Sequence, residues 1–155
     1  MTPMVEVAPG SPDDLDEIVA LHAACFETPW GLKAFRELLA MPGTFLRVAR
    51  EAAPSCIMGF IILRIAADEA EILTIAVDPA HRGRRIGEAL VTGAAAEAKA
   101  FGASMLFLEV AEDNNPAIRL YERLGFMVTG KRPAYYERKG GRVAAHIMAL
   151  ALGRT

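Results

Sequence analysis

The sequence predicts an α/β (α+β) fold, a mixed central sheet of about seven strands with flanking helices, on three observations. Strand-like and helix-like segments alternate along the whole chain. Midway, an apolar segment (Ile72–Val77), a basic glycine-bearing loop, a long helical run and a second apolar segment (Met105–Val110) succeed one another, the order of a right-handed βαβ unit. Finally, 155 residues with 53% hydrophobic and 23% charged side chains are enough for one full-sized core, so one domain is expected over residues 1–155.

Each element has a local reason. Met4–Ala8 reads as a first strand. Ser11-Pro12, with Asp13 and Asp14 after it, is an N-cap followed by proline at N1, so a helix is expected from there to about Cys25. Leu15, Ile18, Val19 and His22 keep the spacing of one helical face. A second helix spans roughly Leu32–Leu39 and stops before Pro42-Gly43. Strands come next at about Phe45–Arg50, Ile57–Arg64 and Glu69–Val77, and Asp78-Pro79 ends the last of them. The next helix continues to Phe101, with Gly102 as its C-cap glycine. Met105–Val110 is nearly continuous in apolar residues, as for a parallel strand covered on both faces. A short helix over about Pro116–Leu124 has Asn114 or Asn115 to cap it. Phe126–Gly130 and Arg142–Leu150 close the sheet, with Lys139-Gly140-Gly141 in the turn before the last strand.

Composition excludes several classes of protein. A net charge of −2 argues against a general nucleic-acid binder, and three arginines in one loop do not make a nucleic-acid patch. No charge-free apolar run approaches the length of a membrane span, and the N-terminus lacks a secretory pattern. Cys25 and Cys56 suggest neither a disulfide framework nor a metal site, and read as small buried hydrophobes. No membrane, no metal and a cytoplasmic location are therefore expected.

The loop Arg82-Gly83-Arg84-Arg85-Ile86-Gly87 opens a helix, where unpaired backbone N–H groups and the macrodipole favour an anion. A phosphate-bearing cofactor is the natural occupant. The loop lacks the triple glycine of dinucleotide-binding folds, and Gly87 is followed by Glu88 rather than the lysine of a Walker A loop.

The string Val77-Asp78-Pro79 followed by Arg82 to Gly87 resembles the acetyl-CoA signature Q/R-x-x-G-x-G/A of the GNAT acyltransferases. Leu108-Glu109-Val110, Asn114, Ala117, Leu120-Tyr121 and Leu124-Gly125-Phe126 are similar to a second stretch of that family, in the expected order. Pro29-Trp30 and Tyr135-Tyr136 narrow the likeness to RimI-type ribosomal-protein-alanine N-acetyltransferases. The resemblance implies acetyl-CoA as cofactor, its pantetheine arm along Ile75, Ala76 and Val77, its pyrophosphate over Arg82 to Glu88, and a contact from Asn114. It implies Glu109 as base and Tyr121 as acid, and a protein N-terminus, the alanine of a small-subunit ribosomal protein, as acceptor. One residue departs from the pattern: Arg85 stands where the motif has its first glycine, and can still offer its N–H if its φ is helical.

The residues themselves support part of this. Glu109 is the only charge in Met105–Val110 and lies at the carboxyl end of a parallel strand, where open α/β sheets place ligands. Burial there would raise its pKa. An α-amine near pKa 8 is roughly one-tenth neutral at pH 7, a lysine only about four parts in ten thousand, so a lone glutamate suits a chain terminus better. Tyr121 shares a helix face with Ala117 and Leu124, and position alone makes it a core aromatic. A phenol near pKa 10 gives its proton to a thiolate near 8.5 uphill, by about 2 kcal/mol, which favours hydrogen bonding over early donation. Trp30, Tyr135 and Tyr136 are candidates for lining the acceptor groove, with aromatic packing equally open. His22 and His146 read as partly buried structural residues, and His81 as a solvated loop histidine. Two other functions stay open: acetylation of a small amine or lysine, and a non-catalytic domain that binds acetyl-CoA or a partner.

Overall fold

A computed structural model describes residues 5–51, 56–83, 85–138 and 140–153. Met4, Arg84 and Lys139, each part of an expected element or site, lie outside the described residues. Among the described residues seven strands form one sheet: β1 (Val5–Pro9), β2 (Thr44–Glu51), β3 (Ile57–Ala66), β4 (Glu69–Val77), β5 (Met105–Ala111), β6 (Met127–Arg138) and β7 (Gly141–Ala151). Their spatial order is β1-β2-β3-β4-β5-β7-β6. Four helices accompany them: α1 (Leu15–Cys25), α2 (Leu32–Ala40), α3 (Ile86–Ala100) and α4 (Asn115–Arg123).

The helices divide the core between the two faces of the sheet. On one face α3 and α4 pack Ile86, Leu90, Val91, Ala94 and Tyr121 against Ile61, Leu63, Ile72, Leu106 and Leu108. On the other, α1 and α2 bring Leu15, Ile18, Leu21 and Phe35 onto Val48, Phe60, Ile62 and Ala76. Leu21, not Val19, completes the buried stripe of α1.

The junction of β4 with β5 opens the sheet. This pair, the only parallel one among the described residues, is in register for three positions, ending at Glu71 opposite Phe107. Beyond it β4 remains paired with β3 as far as Val77, while β5 pairs with β7 along its whole length. The two strands therefore part company, leaving the second half of β4 without a described strand on one side. A bulge helps to steer this divergence: Ile62 faces Thr74 and Leu63 faces Ile72, so Leu73 is an extra residue in β4. The apolar β5 also has an exposure unlike that expected. Leu106, Leu108 and Val110 are buried against α3, but Met105, Phe107 and Glu109 face the other side, where none of the described helices covers them.

The sequence expectation falls short at β6. It runs from Met127 to Arg138 rather than ending at Gly130, and Tyr135 and Tyr136 lie within it. Pro133 and the many charges hide the strand pattern, yet an edge strand tolerates both, because one side of its backbone needs no partner.

Candidate active site

Two clefts flank the place where β4 and β5 separate. The first, of about 700 Å³, lies beside the N-terminal ends of α3 and α4. Ile75, Ala76, Val77, Arg82, Gly83, Arg85, Ile86, Gly87, Glu88, Asn114 and Tyr121 all line it, so the described residues expected around a cofactor converge on one space.

Backbone geometry shapes this cleft. The Asp78 N–H donates to the Met58 carbonyl at 2.7 Å, which directs Asp78 toward β3. Strand alternation then turns the N–H groups of Val77 and Ile75 the other way, into the gap left by β5. The Val77 carbonyl on that side is already engaged, since the Cys25 thiol donates to it at 3.4 Å. Cys25 is therefore a wall of the cleft and not a core residue, and the Arg82 guanidinium lies 3.7 Å from its sulfur.

The loop before α3 turns at Gly83, whose φ of 86° and empty surroundings suit a backbone that must approach a bulky anion. Arg85 corrects the sequence expectation. Its φ is 59° and ψ 25°, left-handed rather than helical, so the arginine occupies the conformation that the motif glycine would adopt without strain. Gly59, which sequence analysis passed over, proves to be a close-approach glycine. A Cβ there would come within 2.9 Å of the Ala76 carbonyl and 3.1–3.2 Å of Leu90 and Ile86, so its absence lets the first turn of α3 rest on the sheet. A lone glycine inside the apolar run Ile57–Arg64 was the available signal.

Asn114 caps α4, its side-chain oxygen accepting the Ala117 N–H at 3.3 Å, and its position on the cleft wall leaves both expected roles compatible. Tyr121 is 5% exposed, packs against Phe126 and reaches the same cleft. Burial, and then the neighbouring Tyr136, push its phenol up to about 12. That makes complete proton transfer to a thiolate harder still and suits a hydrogen-bond donor.

The second cleft, of about 470 Å³, is a groove on the opposite face, lined by Arg64, Glu69, Glu71, Phe107, Glu109 and Ile147. Glu109 is among its lining residues. The Arg132 guanidinium contacts both of its carboxylate oxygens, at 3.3 and 3.2 Å, and Tyr136 donates to its backbone carbonyl at 3.4 Å. Tyr135 stacks edge-on against Tyr136 and carries the Arg132 guanidinium over its ring at 4.3 Å. Glu71 is the carboxylate that sequence analysis missed. Partial burial and the charge on Glu109 push its carboxyl up, while Arg64 and Arg132 pull the other way. The alternation Glu69-Ala70-Glu71-Ile72 showed that these acids share a face, but not that Glu109 would stand beside them.

Trp30 lines neither of these clefts. It stacks on His22 at 5.0 Å, and its backbone N–H donates to the His22 Nδ1 at 3.1 Å. His22, 1% exposed among Phe26, Phe35 and Phe60, is held by burial at a pKa of about 4. His81 is half-buried, 3.7 Å from Asp78 and 3.9 Å from Glu51, rather than fully solvated. Among the described residues no cluster could hold a metal ion, and no helix is long and apolar enough to cross a membrane.

A helix start thus lies beside a strand that has lost its neighbour, with carboxylates lining the second groove. The chain belongs to the acetyltransferase (GNAT) family, whose match spans residues 15–126. It is 32% identical over 142 residues to the [ribosomal protein bS18]-alanine N-acetyltransferase of Salmonella typhimurium, covering 92% of this chain and 94% of that one. It is 41% identical over 93 residues to the Escherichia coli protein of the same name, there covering 60% of this chain and 63% of that one. The crystal structure of the ribosomal-protein-S18-alanine N-acetyltransferase from Escherichia coli superposes with a TM-score of 0.90 at 30% identity, covering 98% of this chain and 96% of that one. An Arabidopsis thaliana NAA60 structure in complex with acetyl-CoA shares the fold, with a TM-score of 0.84 at 20% identity over 96% of this chain and 98% of that one.

Proposed function

We propose that this protein is a cytoplasmic N-α-acetyltransferase that transfers acetyl from acetyl-CoA to a protein N-terminus, the alanine of a small-subunit ribosomal protein. The observation that carries the reading is the parting of β4 and β5 after Glu71 and Phe107, with one cleft on each face of the opening. An anionic carrier enters beside α3, an amine enters from the carboxylate side, and the two meet within the sheet. The names of the relatives supply the acceptor class.

Acetyl-CoA supplies the thioester carbonyl and the thiolate leaving group. Its phosphates suit Arg82, Gly83, Arg85 and the start of α3 at Ile86, Gly87 and Glu88, and its extended arm suits the outward N–H groups of Ile75 and Val77. Glu109 takes the proton of the attacking amine, and the Val77 N–H faces the carbonyl oxygen as negative charge develops. The Tyr121 hydroxyl donates a hydrogen bond to the departing sulfur.

Release of CoA thiol from acetyl-CoA, measured with an alanine-leading peptide beside an N-blocked copy containing lysine, tests the assignment. Turnover of the free N-terminus alone is expected. Turnover only of the lysine copy, or only of polyamines, would replace the acceptor class while leaving the family unchanged.

A further inference from the structure

In the proposed chemistry Glu109 must accept a proton, yet a carboxylate whose two oxygens both meet a guanidinium is not free to do so. We propose that Arg132 is a displaceable counter-ion: it keeps Glu109 occupied until a cationic acceptor arrives, then yields the carboxylate while the face of Tyr135, which it already covers, retains it. The inference rests on Glu109 being the group that receives the acceptor amine.

Three features of the geometry carry it. First, the contact is loose. One nitrogen, Nη1, reaches both oxygens at 3.2–3.3 Å, where a two-pronged arginine–carboxylate pair closes to about 2.8 Å. Second, the two partners differ in freedom. Glu109 is fixed in a strand paired along its length with β7, and its side chain is 24% exposed, whereas the Arg132 side chain is 53% exposed on the edge strand. Third, the guanidinium already occupies a second seat beside its contact with Glu109. Between the pairs Arg132–Ala145 and Tyr136–Val143, three residues of β6 stand opposite one of β7. This bulge sets the Tyr135 ring beside the guanidinium, at 4.3 Å, a favourable cation–π distance.

The exchange has a direct consequence for selectivity. An incoming ammonium replaces one cation with another, so Glu109 is never left bare, whereas a neutral hydroxyl has no charge with which to displace the guanidinium. The remaining groove charges, Glu69, Glu71 and Arg64, leave an acidic balance that favours the exchange. Withdrawal of Arg132 also removes one of the cations that hold the Glu71 carboxyl down.

The test is a double-variant cycle on the KM for an alanine-leading peptide, with the KM for acetyl-CoA recorded in parallel. Arg132→Gln is expected to lower the peptide KM by about two- to fivefold, the scale of a partly exposed ion pair, without a matching change for acetyl-CoA. Tyr135→Leu removes the second seat and should raise the peptide KM, but only while Arg132 is present. In the double variant the tyrosine substitution should have no further effect. A peptide KM that is unchanged or raised in Arg132→Gln would overturn the proposal, showing that the guanidinium binds the acceptor or is idle. A penalty from Tyr135→Leu that persists in the double variant would remove the second seat. Arg132→Met serves if the glutamine variant fails to fold, as judged by circular dichroism. Absence of turnover of any amine by the unmodified protein would instead defeat the acetyltransferase reading itself.

Discussion

The cleft beside α3 and the groove across β4 and β5 open onto the same gap in the sheet but are made of different material. The α3 side is largely backbone: outward N–H groups of β4, a helix start, a positive-φ turn at Gly83, and Gly59, which lets chain lie close to chain. The groove is made of side chains, with Glu71, Glu109, Arg64 and Arg132 contributed by four different strands. Backbone donors present a fixed array to any phosphate-bearing carrier and tolerate varied side chains. A side-chain groove changes its preference with a single substitution. Under the proposed function, the difference would let one fold keep its acyl donor while changing its acceptor.

The sharpest way to break this comparison is to remove one reacting group from each side. Glu109→Gln and Tyr121→Phe should each reduce kcat by about 10²-fold or more, measured as release of CoA thiol. Near-normal turnover in both would leave the two clefts without assigned chemistry.

A second test addresses the α1–α2 end of the side-chain face. Burial holds the His22 imidazole at a pKa of about 4, so the folded state binds its proton less well than the unfolded chain, near 6.5. The associated stability is full above pH 6.5 and is lost as pH falls through about 4, up to about 3 kcal/mol. Protonation also removes the Nδ1 acceptor of the Trp30 N–H. Acid unfolding followed through Trp30, the single tryptophan, should show this dependence, and His22→Phe should flatten it.

Gly59→Ala probes the backbone side. Its new methyl meets the Ala76 carbonyl and the first turn of α3, so a loss of about 1–3 kcal/mol and weaker acetyl-CoA binding by calorimetry are expected. Unchanged affinity would mean that the seating of α3 on β3 and β4 is not what shapes the cradle.

The smallest effect is expected at Arg85. Replacing it with glycine relieves a left-handed backbone and should stabilise the fold by about 1 kcal/mol, or about 2–4 °C in Tm. Loss of its guanidinium works against the affinity for acetyl-CoA, so Tm and Kd should move apart. A Tm that does not rise would show that the loop bears no strain.

Much of this arrangement was readable from residue order, for identifiable reasons. β4 ran over Glu69–Val77 as expected, because its alternating pattern and the Asp78-Pro79 stop are local signals. Asn114 as the cap of α4 and Gly102 after α3 were likewise local. The part of β6 beyond Gly130 was not, since Pro133 and charges are acceptable only once the strand is known to lie at an edge. For Trp30 groove lining and aromatic packing were equally open in the sequence, and its stacking partner is His22, eight residues away.

Residue order alone set most of the elements and the glycine-bearing basic loop, because turn chemistry, capping and periodicity act over a few neighbouring residues, whereas Glu109, Asn114 and Tyr121 were singled out by the family resemblance of their motifs. Three outcomes came from the folded chain instead: β4 and β5 separate after three paired positions, Glu71 and Arg132 gather around Glu109, and Arg85 is left-handed. They depend on strands distant in the chain sharing one sheet and on helices holding a loop at both ends, constraints that no local stretch of residues contains.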